Sequence, residues 1–248
     1  MQPAIRMGAP MDKNASSTLT DFSAWLAQVD PAEGPGDGQA DGNGRMYGGL
    51  TVLERRAVRR QRLLDAGLEL FSRGYALATI EGICAGAGVT ARHFYEEFGS
   101  REELLKAVFD RSIDTTILEI IEKVDGTDVR PDDLVGLVRQ GVTAFVHAFL
   151  DDPRRARVVC IESVGVSSEL EEHRRELIHR FSRLLQSESE RLTNRGIDSR
   201  AEFVLTTRAL VGGTQELIVD WLLDAEPASL DMMAGVIANL YLAVINFN

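Results

Sequence analysis

The sequence of 248 residues predicts an all-α protein. From Val52 onward, apolar residues recur every three or four positions, which is the spacing that places them on one face of a helix. Residues favoured at helix ends, such as Gly74 and the pair Asp152-Pro153, separate these periodic segments. No segment alternates apolar and polar residues in the way that half-buried strands do. We therefore expect helices to be the only regular secondary structure.

The expected helix boundaries follow from capping residues. Gly74 ends a first helix that starts near Val52, and Ser100 with Glu103 has the pattern of a capping box. Pro131 and the acidic residues after it favour a helix start, and Ser168 with Glu171 favours another. The later helices are expected over about 80–86, 90–98, 101–124, 131–150, 168–195, 200–224 and 230–247. One more helix is expected to begin at residue 153.

The composition excludes several classes of protein. Two cysteines in a chain of this length make no disulfide framework. No apolar run approaches the roughly 18 residues that a membrane-spanning helix needs. Arg6 and Lys13 are not followed by the apolar stretch of a secretory signal. We expect a soluble, cytoplasmic protein.

The first 49 residues differ from the rest of the chain. The stretch from Pro31 to Gly49 is rich in glycine and nearly devoid of apolar side chains, so it cannot bury enough surface to offset the entropy of ordering it. We therefore expect a flexible, Gly-rich extension over residues 1–49. A small helical domain over 50–98 and a larger one over 99–248 are expected to follow.

The net charge of −11 is unevenly distributed. Residues 51–110 contain nine basic and nine acidic side chains, whereas the segments before and after them are acidic. Five arginines fall within positions 55–62, and among them Arg56 and Arg60 are candidates for contacts with phosphate. A locally basic surface can bind nucleic acid while the acidic remainder suppresses unspecific association.

Residues 82–98, GICAGAGVTARHFYEEF, carry the most informative motif. Two short helices are joined at Gly86-Ala87-Gly88, where glycine permits a tight turn. The second helix is expected to present Thr90, Arg92 and His93 outward from its first turn, where they can read base edges in a major groove. The side chains placed to donate to phosphates on either side are Thr79, Tyr95 and Arg101. The alternative is that all of these are ordinary solvated residues.

Several stretches together resemble the DNA-binding domain of the tetracycline-repressor-like (TetR) family. They are the segment from Arg60 to Phe71, then Gly74-Tyr75, Ala78-Thr79-Ile80, Ala87-Gly88-Val89, Phe94-Tyr95, Phe98 and Ser100-Arg101-Glu102-Glu103-Leu104. The resemblance implies a three-helix, helix-turn-helix DNA-binding domain over 50–98. It also implies a helical effector-binding and dimerisation domain over 99–248, and a homodimer joined through the last two helices.

Apolar side chains of the second half are candidates for the walls of a ligand pocket, and plain core packing is the alternative for each of them. His147 and Glu162 are polar residues in apolar surroundings and are candidates for orienting a ligand. The complete candidate set is Phe145, His147, Phe149, Ile161, Glu162, Phe181, Leu185 and Trp221. The low polarity of these walls predicts a hydrophobic ligand.

The last two helices are expected to form a four-helix bundle with the same helices of a second copy, and intramolecular packing is the alternative. Gly212-Gly213 lies within one of them, where its cost in helix propensity indicates a close backbone crossing. The residues expected at the interface are Val211, Gly212, Leu217, Met233, Ile237, Leu240, Tyr241 and Val244.

No sequence signature of catalysis or of metal binding is present. Cys84 and Cys160 are far apart, and His173 and His179 lack the spacing that lets two histidines share a metal on one helix face. We expect no enzyme activity, no cofactor and no metal. The predicted function is that of a dimeric repressor, which binds a pseudo-palindromic DNA operator and is released by a small hydrophobic ligand. A helical interaction adaptor, or an all-α enzyme without operator binding, is the alternative.

Overall fold

A computed structural model describes residues 51–125, 133–193, 200–224 and 226–247, with side chains over 51–124, 133–183, 204–224 and 226–244. Every regular element in these ranges is helical, which confirms the predicted fold class. The extension predicted over 1–49 lies outside the described residues. The helices are α1 (Val52–Phe71), α2 (Ile80–Ala87), α3 (Ala91–Glu97), α4 (Arg101–Asp125), α5 (Leu134–Leu150), α6 (Pro153–Arg157), α7 (Ser168–Thr193), α8 (Arg200–Leu223) and α9 (Leu230–Phe247).

Most helix ends agree with the predicted boundaries, and one start and one capping residue differ. Asp133 caps α5 by accepting from the Gly136 amide at 2.9 Å, so this helix begins after the predicted start at residue 131. The hydroxyl of Ser167, rather than that of Ser168, accepts from the amide of Leu170 at the start of α7. Neighbouring residues with similar capping ability are hard to separate from the sequence alone.

Helices α1 to α4 share one hydrophobic core, which we call the N-terminal core. Phe71 of α1, Ile83 of α2 and Phe94 of α3 are all fully buried in it. Gly67 lets α4 approach α1 closely, since a methyl group at this position would lie 3.0 Å from Val108 Cγ2. Because α3 contributes a fully buried aromatic ring to this core, its orientation is fixed by packing.

Helices α2 and α3 are connected by a short turn whose backbone needs glycine. Gly88 ends α2 in the left-handed conformation, with φ 64° and ψ 38°. Thr90 then caps α3, its side chain accepting from the backbone amide of His93. This arrangement is the helix-turn-helix that the sequence predicts.

A second core, which we call the C-terminal core, is built on α5, α8 and α9 and on the segment after α6. Val146 and Phe149 of α5, Ile218 of α8 and Ile237 of α9 are buried in it. Among the described residues, no helix combines the length and the apolar character that crossing a bilayer requires.

One turn of the chain contributes to both cores. Residues Val158–Glu162 continue α6 as a π turn, in which one extra residue is accommodated. Val158 is buried in the N-terminal core, whereas Val159 and Cys160 are buried in the C-terminal core. This turn, of a type that is rare and often occurs at functional sites, therefore links the two cores through adjacent residues.

Candidate nucleic-acid interface

Helix α3 presents one apolar and one polar face. Phe94 is fully buried, and its ring lies 5.4 Å from that of Tyr95, centroid to centroid. Tyr95 itself is 58% exposed, and the side chain of Arg92 is 87% exposed. The structure therefore places Arg92 and Tyr95 on the solvent side of a helix that is held on the N-terminal core by Phe94.

The first turn of α3 brings the three candidate base-reading residues together. The hydroxyl of Thr90 lies 3.2 Å from Nδ1 of His93. If this hydroxyl donates to Nδ1, the ring carries its proton on Nε2, which is then available as an outward donor. The guanidinium of Arg92 projects from the same turn into solvent.

Arg92 has one partner within its own helix. Its Nε donates to Oε1 of Glu96 at 3.1 Å, an i, i+4 pair. The bond uses Nε, so the terminal nitrogens Nη1 and Nη2 are not part of it. Because residues four apart lie on the same side of a helix, Glu96 shares the exposed face of Arg92.

Arg56 and Arg60, which the sequence suggests as phosphate contacts, are engaged with the end of α3 in the free protein. Arg56 Nε donates to Glu97 Oε1 at 2.9 Å, and its Nη2 donates to the carbonyl of Glu96 at 3.3 Å. Arg60 lies over the ring of Phe98, with 4.5 Å from Cζ to the centroid, and Nη1 is 3.5 Å from the carbonyl of Glu97. These two arginines hold the C-terminal end of α3 against α1.

Arg101, also suggested as a phosphate contact, has partners within the free protein. Its Nη1 donates to the carbonyl of Ala78 at 2.7 Å, and its Cζ lies 4.2 Å from the centroid of the Tyr75 ring. The first residue of α4 is thereby fixed to the segment that precedes α2. In the free protein, Arg101 therefore connects α4 to the segment before α2.

Thr79 and Tyr95 remain placed for contacts with phosphate. Thr79 caps α2, its hydroxyl oxygen accepting from the amide of Gly82 at 3.1 Å, and it is exposed. A threonine hydroxyl that accepts in this way can still donate its own proton. Thr79 therefore lies at the start of α2 and Tyr95 on the exposed face of α3.

Sequence reasoning missed Glu96, Glu97 and Tyr75. A signal for Glu96 is present, because it follows Arg92 by four positions in a predicted helix. Glu97 has no such signal, since its partner Arg56 is 41 residues away. The side chain of Glu97 is only 3% exposed, so the carboxylate depends on that arginine for compensation of its charge.

The candidate ligand residues are brought together in part. The Phe145 ring lies 5.7 Å from that of Phe149 and 6.2 Å from that of Phe181, measured between centroids. Ile161 and Trp221 pack on the same C-terminal core, whereas the side chain of Leu185 lies outside the described residues.

Cys160 is buried in the same C-terminal core as Phe145 and Phe149. Burial raises the pKa of its thiol to about 12, so the thiol is neutral at physiological pH.

The two polar candidates of this region are engaged elsewhere. His147 lies between two carboxylates, with Nε2 3.0 Å from Asp231 Oδ1 and Nδ1 3.3 Å from Asp151 Oδ1. Glu162 accepts from the backbone amide of Tyr75 at 2.8 Å, and its other oxygen lies 3.5 Å from Arg157 Nε. The geometry thus gives both side chains roles in connecting helices rather than in facing the aromatic group.

The residues suggested for a dimer interface fall into two sets. Met233 and Ile237 are buried within the single chain, where they pack in the C-terminal core. Tyr241 is half-buried, and burial raises its pKa while a side-chain hydrogen bond with Thr214 opposes that change. The residues that are exposed or partly exposed are Val211, Gly212, Leu217, Leu240 and Val244.

The faces of α8 and α9 that point away from the C-terminal core are not fully covered by other described residues. Space is free beside Gly212 and Gly213, where a methyl group would meet none of the described residues within 4 Å. The close crossing indicated by these glycines therefore does not occur among the described residues of one chain. Exposed apolar residues on α8 and α9 include Leu205, Met232, Val236 and Leu240.

The described residues contain no group of three or more histidine, cysteine, aspartate or glutamate side chains that could hold a metal ion.

Comparison with known proteins identifies the first part of this structure. Residues 63–108 match the family described as bacterial regulatory proteins, tetR family. These residues run from the middle of α1 to within α4 and include the whole helix-turn-helix. No curated protein matches the chain.

Solved structures resemble most of the chain. A TetR-like transcriptional regulator from Rhodococcus sp. RHA1 is 22% identical, with a TM-score of 0.54 over 77% of this chain and 98% of that one. The regulator FadR from Bacillus subtilis, solved in complex with stearoyl-CoA, is 19% identical, with a TM-score of 0.60 over 74% of this chain and 97% of that one. The TetR family regulator PfmR from Thermus thermophilus is 18% identical, with a TM-score of 0.53 over 73% of this chain and 97% of that one. At these identities the likeness shows a common fold.

Proposed function

Since residues 63–108 match the tetR family of bacterial regulatory proteins, we propose that this chain is a cytoplasmic transcriptional repressor that binds a pseudo-palindromic operator. The observation that carries the proposal is the exposed first turn of α3. There Thr90 and Arg92 are exposed and His93 is partly exposed, at the start of a helix whose opposite side is anchored by the fully buried Phe94. A helix held in this way can enter a major groove without reorganising the domain.

The proposed readout divides between two side chains. Arg92 can donate to guanine O6 and N7 through its terminal nitrogens, which its bond with Glu96 leaves unused. His93 can donate from Nε2, because its Nδ1 lies beside the Thr90 hydroxyl. Tyr95 and Thr79 would donate to phosphates and set the register on the duplex.

We propose that the operator is bound by a homodimer. The support is the open, partly apolar face of α8 and α9, where Val236 and Leu240 are exposed and the space beside Gly212 and Gly213 is free of other described residues. Two such helices from each copy would form a four-helix bundle across a two-fold axis. The dimer would then present two α3 helices about one DNA turn apart, roughly 34 Å.

A hydrophobic ligand is proposed to release the operator. The support is the group of Phe145, Phe149 and Phe181, of which the first two pack in the C-terminal core, together with the neutral thiol of Cys160 in that core. The structurally similar FadR from Bacillus subtilis was solved with stearoyl-CoA, a ligand with a long apolar chain. A ligand lowers operator affinity only to the extent that it prefers the protein conformation that binds DNA poorly.

The route proposed for this release runs through the π turn Val158–Glu162. Glu162, at the end of the turn, accepts from the Tyr75 amide, which directly follows Gly74 with its positive φ of 137°. The Tyr75 ring in turn lies under Arg101, whose guanidinium holds the Ala78 carbonyl beside the start of α2. A shift of the π turn would therefore be passed to the helix-turn-helix.

The test of the proposed function is selection of bound sequences from a random DNA library, with the mass of the complex measured in solution. The expected result is an inverted repeat with half-site centres about 10 base pairs apart, bound by two copies of the chain. Binding should weaken steeply as salt is raised. A chain that selects no sequence would contradict the proposal and favour the interaction adaptor.

Replacing Glu162 with alanine tests the route to the C-terminal core. Coupling is reciprocal, so operator DNA should slow amide hydrogen exchange in residues 145–161 as well as in α3. We expect the Glu162→Ala variant to keep the protection of α3 but to lose that of 145–161, by about tenfold or more in exchange rate. Without the carboxylate, the Tyr75 amide has no acceptor in the π turn.

The control is Glu172→Ala, which removes an exposed carboxylate on α7. It is expected to leave both protected regions as they are. Equal protection of 145–161 in the Glu162→Ala variant and in the wild type would place the coupling elsewhere.

A further inference from the structure

The exposed face of α3 carries a carboxylate beside its main candidate for base reading. Glu96 lies one helical turn after Arg92, its side chain is 43% exposed, and its Oε1 accepts from Arg92 Nε at 3.1 Å. Among the described residues, no hydrogen bond to α1 or α2 requires this carboxylate. Arg56, from α1, uses the backbone carbonyl of Glu96 and not its side chain.

A carboxylate in this position is unfavourable for binding DNA in general. Phosphates dominate the affinity for any duplex, and a negative charge on the approaching face repels them. Glu97, the next residue, differs in this respect, because its side chain is buried on Arg56. Of these two adjacent acidic residues, Glu96 is the one that would face the duplex.

We propose that Glu96 is a specificity-determining residue, which acts by holding Arg92 in the orientation that suits guanine. This inference rests on the proposed DNA-binding function and assigns a role within the same site. The bond through Nε restrains the guanidinium and leaves Nη1 and Nη2 to donate to O6 and N7. A guanidinium that is already oriented loses less conformational entropy when it binds.

The same carboxylate discriminates against other sequences. On a cognate site, the positive charge of Arg92 is shared between guanine and Glu96, and the repulsion from phosphates is offset. On a non-cognate site Arg92 has no guanine partner, while the repulsion remains. Specificity is a difference of affinities, so a group that weakens non-cognate binding more than cognate binding increases it.

The test uses Glu96→Gln and a matched control, Glu81→Gln, with an operator obtained by selection. Glu81 is exposed in the first turn of α2, and its replacement changes the charge of the same domain by the same amount. We expect Glu96→Gln to raise the affinity for random-sequence duplex by about two- to fivefold, because one repulsive charge is removed. The ratio of operator to random-sequence affinity should fall by about fivefold or more, with the loss confined to the guanine read by Arg92.

The control should raise both affinities by the same factor and leave their ratio unchanged. In the Arg92→Ala background, Glu96→Gln should no longer alter base preference, because the side chain it orients is absent. If the ratio of operator to random-sequence affinity stayed unchanged in Glu96→Gln, as it should in Glu81→Gln, the proposal would be overturned. If the wild-type chain selects no sequence at all, it is the proposed function that fails, which separates the two outcomes.

Discussion

Replacing Phe94 with alanine is expected to lower the free energy of unfolding by about 3 to 5 kcal/mol. Phe94 is fully buried in the N-terminal core, and its ring contacts those of Tyr95 and Phe98 at centroid distances of 5.4 and 6.0 Å. Its removal leaves a cavity between α3 and α1 and takes away the side chain that fixes the direction of α3. Denaturant unfolding of the full chain, followed by circular dichroism, measures the effect.

The adjacent Tyr95 provides the matched control. Its ring is mostly exposed and touches Phe94 only edge-on, so Tyr95→Ala is expected to cost about 1 kcal/mol. Equal losses of stability in the two variants would mean that α3 does not face the core through Phe94. In that case the assignment of Arg92 to the DNA side would fail as well, since it lies on the side opposite to Phe94.

Replacing Arg56 with alanine is expected to cost about 2 to 4 kcal/mol of stability, a large effect for an arginine that is itself partly exposed. The reason lies with Glu97, whose carboxylate is almost completely buried and would be deprived of its cationic partner at 2.9 Å. In a Glu97→Gln background the same replacement should cost less than about 1 kcal/mol, because no buried charge remains. Thermal unfolding of the two single variants and the double variant measures the interaction free energy between Arg56 and Glu97 directly.

DNA binding separates this structural role of Arg56 from the phosphate binding that the sequence suggests. If Arg56 bound a phosphate, its replacement by alanine would reduce the slope of log affinity against log salt by about one. A residue that only holds α3 should leave this slope unchanged while the affinity falls. Arg62→Ala is the control, since Arg62 is an exposed arginine on the same helix and its replacement should change stability by less than about 0.5 kcal/mol.

The sequence predicts most of the helices because their signals are local. The helical period places Phe71 and Phe94 inside, and Gly88 and Thr90 predict the turn and the start of α3. Where two neighbouring residues can both cap a helix, as with Ser167 and Ser168, the sequence does not distinguish them. The errors at helix starts are therefore small and have a physical origin.

The roles of the charged residues could not be predicted in the same way. Arg56, Arg101 and Glu162 find partners 41, 23 and 87 residues away, so the pattern around each residue carries no trace of its partner. A guanidinium can bind a phosphate, a carbonyl or an aromatic ring, and the fold decides which of them it meets.

The packing partners of the last two helices are also not encoded locally. The apolar faces of these helices predict burial, but the sequence pattern does not indicate whether the same chain or a second copy buries them. Met233 and Ile237 are buried by their own chain, whereas Leu240 is exposed on it. The burial of Met233 and Ile237 is therefore no evidence for a dimer, because it needs no second copy.

The most direct test of the central claim is a comparison of the sequences selected by the wild-type chain and by Arg92→Ala. We expect the wild type to select an inverted repeat with a guanine at one symmetric position of each half-site. The variant should lose the preference at that position, by about 1 to 3 kcal/mol, and keep it at the others. An unchanged motif in the variant would contradict the claim that the exposed turn of α3 reads the bases.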